Sequence, residues 1–366
     1  MDAHPETPGT RGGAGDGTMK IVQVITSADW GGAQRHVYDL SCGLKALGHE
    51  VNVLYGEEGR LTTRLEAQQI RCQQVPTLTR AIRPWRDLRT LHHLRQQIEA
   101  LHPDVVHAHS SKAGTLVRLA LRKSAIPVVY TIHGLVYLNE RMPKWKQALY
   151  RKIELSLLPL AKATILVSNR DLQELQRHRS AKRTRLVHIP NGIDPFPEPI
   201  PLPEDPVIGT IARFTEEKAL DVLLKAVAAV RKEVPAVRLI LVGDGPLRPQ
   251  LEQLSQELGI NDITTFAGFQ ENVVEWLAKM RVFALTSVKE GMPYALLEAV
   301  RAGRIVVARD VGGMGEVLPE RSLVGTSATP TDWARRILMM LRANGEQGAS
   351  VIDRESMVRC TLGIYW

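Results

Sequence analysis

The chain has 366 residues, 44% hydrophobic and 23% charged, with a formal charge of +8; this suits a globular protein of two or three domains and excludes a fibrous or wholly disordered one. Three widely spaced cysteines, Cys42, Cys72 and Cys360, exclude a disulfide framework and a zinc cluster. No uncharged stretch is long enough to cross a bilayer.

Residues 1–18 are rich in Gly, Pro and Thr and lack periodicity, so a disordered extension is expected there. They also lack the basic start and apolar run of a signal peptide, which places the protein in the cytoplasm. From residue 19, apolar runs of strand type alternate with helical spacing: IVQVI at 21–25, a helix over 33–47, VNVLY at 51–55, a helix over 85–101 and DVVHAH at 104–109. A helix from Lys112, PVVYTIH at 127–133, a helix from Lys144, ATILVS at 163–168 and RLVHI at 185–189 continue it. This pattern predicts a parallel sheet flanked by helices over 19–189.

Residues 190–206, PNGIDPFPEPIPLPEDP, cannot hold a regular helix or central strand and read as a linker. The alternation then restarts with VIGTIAR, RLILVGDG, ITTFAGF and RVFALTS, each followed by a helix, which predicts a second doubly wound domain over 207–345. WARRILMMLR and ESMVRCTLGIYW read as helices on either side of the break NGEQGAS, the last lying within 346–366 and able to cross back to the first domain. Ligands of such sheets lie beyond the carboxyl ends of the strands, so the fold class is α/β with two Rossmann-like domains facing a cleft.

Two carboxylates stand out beside that cleft. In KEGMPYALLEAVRAG, at 289–303, Gly291 turns the chain, Pro293 suits a first helical turn and Gly303 stops the helix. Glu290 is therefore expected in the loop and Glu298 about two turns into the helix. Carboxylates accept sugar hydroxyls and a helix start favours phosphate, a combination that suggests a sugar phosphate ligand. Arg213 and Lys218 follow the first strand of the second domain, where both can neutralise a diphosphate. No Asp-x-Asp pair occurs, so metal independence is expected.

In the first domain, Gly31 and Gly32 lie between a strand and a helix, where backbone N–H groups can approach an anion. They lack the third glycine of a dinucleotide fingerprint, and GDGPLR at 243–248 carries Arg248 where that glycine belongs. His107, His109 and His133 end neighbouring strands, with His109 and His133 the candidates for a site role; no carboxylate or Cys completes a metal site around them. RMPKWKQALYRKIELSLLPLAK, at 141–162, is a basic amphipathic helix expected to pack its apolar side on the core, with an anionic bilayer as the alternative.

Charge is uneven. Residues 1–200 hold 28 Lys and Arg against 18 Asp and Glu, a net of +10, and residues 201–366 hold 19 against 21, a net of −2. An anionic partner is expected for the first half: a membrane surface, an acidic acceptor or a nucleic acid. No helix-turn-helix, aromatic RNA platform or zinc-finger spacing supports the nucleic acid, which is therefore not expected as a partner.

EGMPYALLEAVRAG, with Glu290 and Glu298 in a Glu-x7-Glu arrangement, resembles the donor-site signature of the large retaining GT-B glycosyltransferase family. WGGAQRHVYDL, DVVHAHSSKAG, VVYTIHG, IPNGID, IARFTEEKALDVLLKA, LILVGDGPLRPQLE and VGGMGEVL resemble its other blocks, in order. The resemblance departs at Ile305, where a Pro is usual, and in a short stretch between Glu316 and Thr331. It implies transfer of a sugar from a nucleotide diphosphate sugar, a UDP-sugar before a GDP-sugar, to a glycan or lipid-linked acceptor with retention and without cofactor. It further implies that Glu298 holds the ribose, Glu290 with Gly291 and Met292 the donor sugar, and Arg213 with Lys218 the diphosphate. By the same token Phe269 lies by the base, Gly31 and Gly32 by the phosphate or the acceptor, His133 by the reacting carbon and His109 on the acceptor side. A sugar-nucleotide epimerase shares the architecture. Members of this kind that build polysaccharide would work on the inner membrane face.

Overall fold

The computed structural model describes residues 17–343 and 351–366. Most of the extension expected over residues 1–18, and the break NGEQGAS at 344–350, lie outside them. Among the described residues the strands form two sheets, every strand pair in them parallel.

The first half runs β1 (Lys20–Ser27), α1 (Gly32–Ala46), β2 (Glu50–Glu57), α2 (Arg60–Ala67), β3 (Arg71–Gln74), α3 (Pro84–Leu101), β4 (Val105–His109), α4 (Ser111–Ala120), β5 (Val128–Ile132), α5 (Lys144–Leu157), β6 (Ala163–Leu166), α6 (Asn169–Gln176) and β7 (Arg185–His188). Its seven strands lie in the order β3-β2-β1-β4-β5-β6-β7. The second half runs β8 (Val207–Ile211), α7 (Leu220–Glu233), β9 (Arg238–Val242), α8 (Arg248–Glu257), β10 (Thr264–Gly268), α9 (Val273–Leu277), β11 (Val282–Leu285), α10 (Tyr294–Arg301), β12 (Ile305–Arg309), α11 (Met314–Val317), β13 (Leu323–Val324), α12 (Pro330–Leu341) and α13 (Arg354–Tyr365). Its order is β10-β9-β8-β11-β12-β13. Both are doubly wound, so the order reverses beside β1 and β4 in one sheet and beside β8 and β11 in the other, and a crevice forms at each reversal.

The central strands are buried on both faces, which explains their unbroken apolar runs. α13 packs on α1, burying Met357, Val358, Ile364 and Tyr365 in the first domain's core. The chain thus crosses between the domains at 190–193 and again at 351–353, where Ile193 N–H donates to the Ile352 carbonyl at 3.0 Å.

The first domain also buries a charge pair. Arg118, wholly inaccessible, donates to Glu154 at 2.9 Å and to the Gly114 carbonyl at 2.8 Å, and stacks on the Tyr130 ring. Breaking one half of a buried pair leaves an uncompensated charge. Arg118→Leu is expected to cost about 3–5 kcal/mol in urea unfolding; a cost below about 1 kcal/mol would mean that Glu154 takes a proton or finds water with little penalty.

Two expectations need correction. α10 begins at Tyr294, so Glu298 sits just over one turn into the helix, not two. The apolar side of α5 packs only in part: Leu157 is buried, but Trp145 is 65% exposed and Leu149 44%. The helix starts on the surface and meets the core only near its C-terminal end.

Candidate active site

The loop after β11 brings Glu290 against the loop after β8. Lys218 donates to Glu290 at 2.6 Å, and Thr286 Oγ1 donates to the Lys218 carbonyl at 2.9 Å, tying the two loops together. Burial opposes charge on Lys218, but the Glu290 carboxylate outweighs it and holds the ammonium above its ordinary range. Arg213 does not join this pair. Its guanidinium contacts Asp29, at the end of β1 in the other domain.

Two glycines let the domains meet here. Gly134 adopts φ 124°, and a Cβ on it would stand 3.0 Å from Gly291 N. A Cβ on Gly291 would stand 2.6 Å from the His133 carbonyl oxygen. The His133–Gly134 turn therefore lies directly on the Glu290–Gly291 turn. Gly313 N–H braces the latter from behind, donating to the Gly291 carbonyl at 2.7 Å.

Glu298 is 8% exposed and pairs with Arg35 of α1 at 3.6 Å. Arg35 also donates to Asp39 at 2.7 Å and lies over the Tyr294 ring. Burial pushes the Glu298 carboxyl up to about 7, Arg35 working against it and Asp39 with it. Such a group sits between its acid and base forms near neutrality.

Gly31 caps α1 and Gly32 begins it; among the described residues, outside its own turn of chain, no atom lies within 4 Å of a Cβ built on Gly32. Its missing side chain leaves open space rather than relieving a clash. Phe269, after β10, carries the Arg60 guanidinium 3.7 Å above its ring centre.

His109 is fully buried behind His133, its Nδ1 3.3 Å from His133 Nε2. It meets another histidine rather than the open cleft, because β4 lies in the middle of the sheet. His107 is held between Tyr365 and Thr131 at 2.6 and 2.7 Å. Burial first, then the neighbouring imidazoles, lowers His107, His109 and His133 well below the usual histidine range, so all three are neutral. Among the described residues no group of His, Cys, Asp or Glu is placed to hold a metal ion.

Sequence pattern places Asn191 only in the linker. The residue is 4% exposed; its Nδ2 donates to the Met292 carbonyl at 2.6 Å, so its Oδ1 accepts from His36 Nδ1 at 2.9 Å. The amide thus fixes the backbone of the loop before α10 to α1. Arg35, Asp29 and Asn191 are the site residues that spacing does not reveal; the block IPNGID is the one signal for the last.

The profile of Glycosyltransferase Family 4 matches residues 30–195, and that of Glycosyl transferases group 1 matches residues 205–343. Together they cover both domains and nearly all the residues just described. The chain belongs to the family 4, group 1 glycosyltransferases. This glycosyltransferase is 27% identical over 281 residues to the UDP-Gal:alpha-D-GlcNAc-diphosphoundecaprenol alpha-1,3-galactosyltransferase of Escherichia coli, covering 72% of each chain. It is also 27% identical to one component of the phosphatidylinositol N-acetylglucosaminyltransferase of Arabidopsis thaliana, covering 84% of this chain and 71% of that one. Its fold is that of Anabaena HepE, solved in complex with UDP and glucose: TM-score 0.76 at 22% identity, over 94% of this chain and 98% of that one. The two-domain arrangement is therefore GT-B. As a glycosyltransferase it needs a donor, an acceptor and a way to stabilise the leaving group.

Proposed function

We propose that this glycosyltransferase moves a sugar from a UDP-sugar to a lipid-linked or glycan acceptor, with retention and without a metal ion, in polysaccharide or cell-surface glycan synthesis. The observation that carries the reading is the Lys218–Glu290 pair, set in a loop lying on the His133–Gly134 turn of the other domain. Cation and carboxylate then stand where a sugar diphosphate would bridge the domains. The HepE complex with UDP and glucose and the UDP-Gal in the Escherichia coli relative's name support UDP as the nucleotide.

In this reading Glu298 accepts the ribose hydroxyls, Phe269 borders the base and Glu290 with Gly291 and Met292 holds the sugar. Lys218 and Arg213 take up the charge that grows on the diphosphate as the C1–O bond breaks. The acceptor oxygen bonds to C1 on the same face, and its proton passes to the departing phosphate oxygen; no protein nucleophile is needed. Neutral His133, oriented by His109, can hydrogen-bond the sugar without adding positive charge beside the reacting carbon. The open space at Gly32 lets the α1 N-terminus approach phosphate or acceptor. The basic first domain and the exposed, basic start of α5 would place the enzyme peripherally on the inner face of the cytoplasmic membrane. No helix among the described residues is long and apolar enough to cross it.

Calorimetric titration with UDP, GDP and ADP in EDTA tests the donor assignment. Micromolar UDP binding, with GDP and ADP at least about tenfold weaker, is the expected result. Binding that vanishes in EDTA would remove metal independence, tighter GDP binding would replace the donor, and no binding of any nucleotide would overturn the donor site. An NMR coupling constant of the product anomer decides retention.

A further inference from the structure

A cavity of about 280 Å³ opens between the start of α3, α4 and α5. Its wall includes Ile132 and Gly134, the two residues that flank His133, so its inner end reaches the turn that lies on Glu290. Leu116, Leu135, Val136 and Ile153 make it apolar, and Ile82, 59% exposed, stands at its mouth. Two observations point to an occupant. Tyr137 lines the cavity, is 5% exposed, and its hydroxyl has no hydrogen-bond partner among the described residues; a buried hydroxyl left unpaired is unfavourable, and a ligand oxygen would satisfy it.

The second observation is the rim. Trp85 is 85% exposed and lies two residues from the lining Asp87, while Trp145 and Leu149 stand on the α5 turns that lead to the lining Tyr150; with Leu88 they leave large apolar side chains exposed beside the cavity. Arg83 at the start of α3 and Lys144, Lys146 and Lys152 of α5 add cations to this surface. The two acids that line the cavity are already paired, Asp87 with Lys112 at 2.7 Å and Glu154 with Arg118 at 2.9 Å. Aromatic side chains interleaved with cations suit the headgroup layer of an anionic bilayer, where a protein partner would not require the cations. Arg80 lines the cavity with only loose contacts, 3.7 Å to Asp29 and 3.6 Å to Glu57, and can turn to a phosphate.

We propose that this cavity holds the hydrocarbon next to the phosphate of a lipid-linked acceptor, with Arg80 and the Tyr137 hydroxyl on phosphate oxygens and Trp85 and Trp145 in the bilayer surface. This rests on the lipid-linked reading of the acceptor and adds where its chain lies. A chain in the cavity leads the acceptor sugar past Gly134 toward Glu290, which fixes the direction from which its hydroxyl arrives.

Farnesyl phosphate serves as a soluble probe, titrated into the full chain alongside inorganic phosphate and, separately, UDP. The full chain is expected to bind farnesyl phosphate at least about tenfold more tightly than inorganic phosphate. Thr115→Trp fills the cavity from α4 and is expected to weaken farnesyl phosphate at least about tenfold with UDP binding unchanged. Val136→Trp repeats the test from another wall if the first variant does not fold. The Trp85→Ser, Trp145→Ser pair, at exposed positions, is expected to lose sedimentation with phosphatidylglycerol–phosphatidylcholine vesicles yet keep farnesyl phosphate in solution. Farnesyl phosphate binding that is absent, equal in the filled variant, or matched by inorganic phosphate overturns the cavity assignment, and unchanged vesicle binding by the double variant overturns the rim. UDP binding without farnesyl phosphate binding fails this proposal alone; farnesyl phosphate binding without UDP fails the donor reading instead.

Discussion

Lys218→Ala lowers kcat by about 10²–10³-fold at saturating donor, the effect of removing one preorganised group that stabilises developing charge. The ammonium is already in place: it touches Glu290 at 2.6 Å and its carbonyl is fixed by Thr286. Lys218→Arg does not restore the rate, because a planar guanidinium cannot replace a point charge in a loop packed this closely. A competing account holds that Lys218 merely orients Glu290. Under it, Glu290→Gln with Lys218→Ala is no slower than the worse single variant; under the diphosphate role the double variant is slower than either single one, though by less than the product, because the two side chains touch. A kcat within about twofold of the parent enzyme in Lys218→Ala, at unchanged melting temperature, would end both accounts.

Glu298 yields the second large effect, with opposite signs in binding and stability. Its folded value of about 7 lies above its ordinary 4.5. Between those pH values the folded chain holds a proton that the unfolded chain has lost, so this group's contribution to stability declines as pH rises and is lowest above 7. The full difference is about 3 kcal/mol. Glu298→Gln is therefore expected to raise the melting temperature at pH 8 and leave it nearly unchanged at pH 4. The same variant weakens UDP by about 10- to 100-fold, the worth of hydrogen bonds to a charged acceptor. UDP affinity in the parent enzyme rises through pH 7 as the carboxylate forms. Gln at this position removes that part of the dependence, leaving only the phosphate's own titration. If 2′,3′-dideoxy-UDP binds the parent enzyme as tightly as UDP does, Glu298 is not the ribose ligand.

Most of the fold was legible because parallel strands buried on both faces leave long apolar runs, as in IVQVI and VVYTI. β3 left no such run: RCQQ is an edge strand, mostly exposed and polar. α2, RLTTRLEA, is short and buries only Leu61, Thr62 and Leu65, too few to mark a helical face. β12 follows α10 after only Ala302, Gly303 and Arg304, so its apolar run merges in the sequence with the helix before it. Within the site, Glu290, Glu298 and Lys218 could be picked out because loop and helix signals flank them. Their partners could not. Arg213 meets Asp29 across 184 residues, and Arg35 meets Glu298 from a different domain. The carbonyl that Asn191 binds belongs to a loop it faces only when two domains lie together. Periodicity carries no information on that distance scale.

The two chain crossings are bonded to each other, Ile193 to Ile352 through the backbone and Asp194 to Arg354 N–H at 3.2 Å. A single tether would leave one body free to swing and twist about a point. Two tethers side by side define a line, and the softest remaining freedom is rotation about it, as a door turns on paired pins. Pairs that span the domains, among them Arg213 with Asp29, Arg35 with Glu298 and Arg60 with Phe269, then part and rejoin along one arc. Under the proposed donor site, release of the spent nucleotide and entry of the next donor would share that one coordinate.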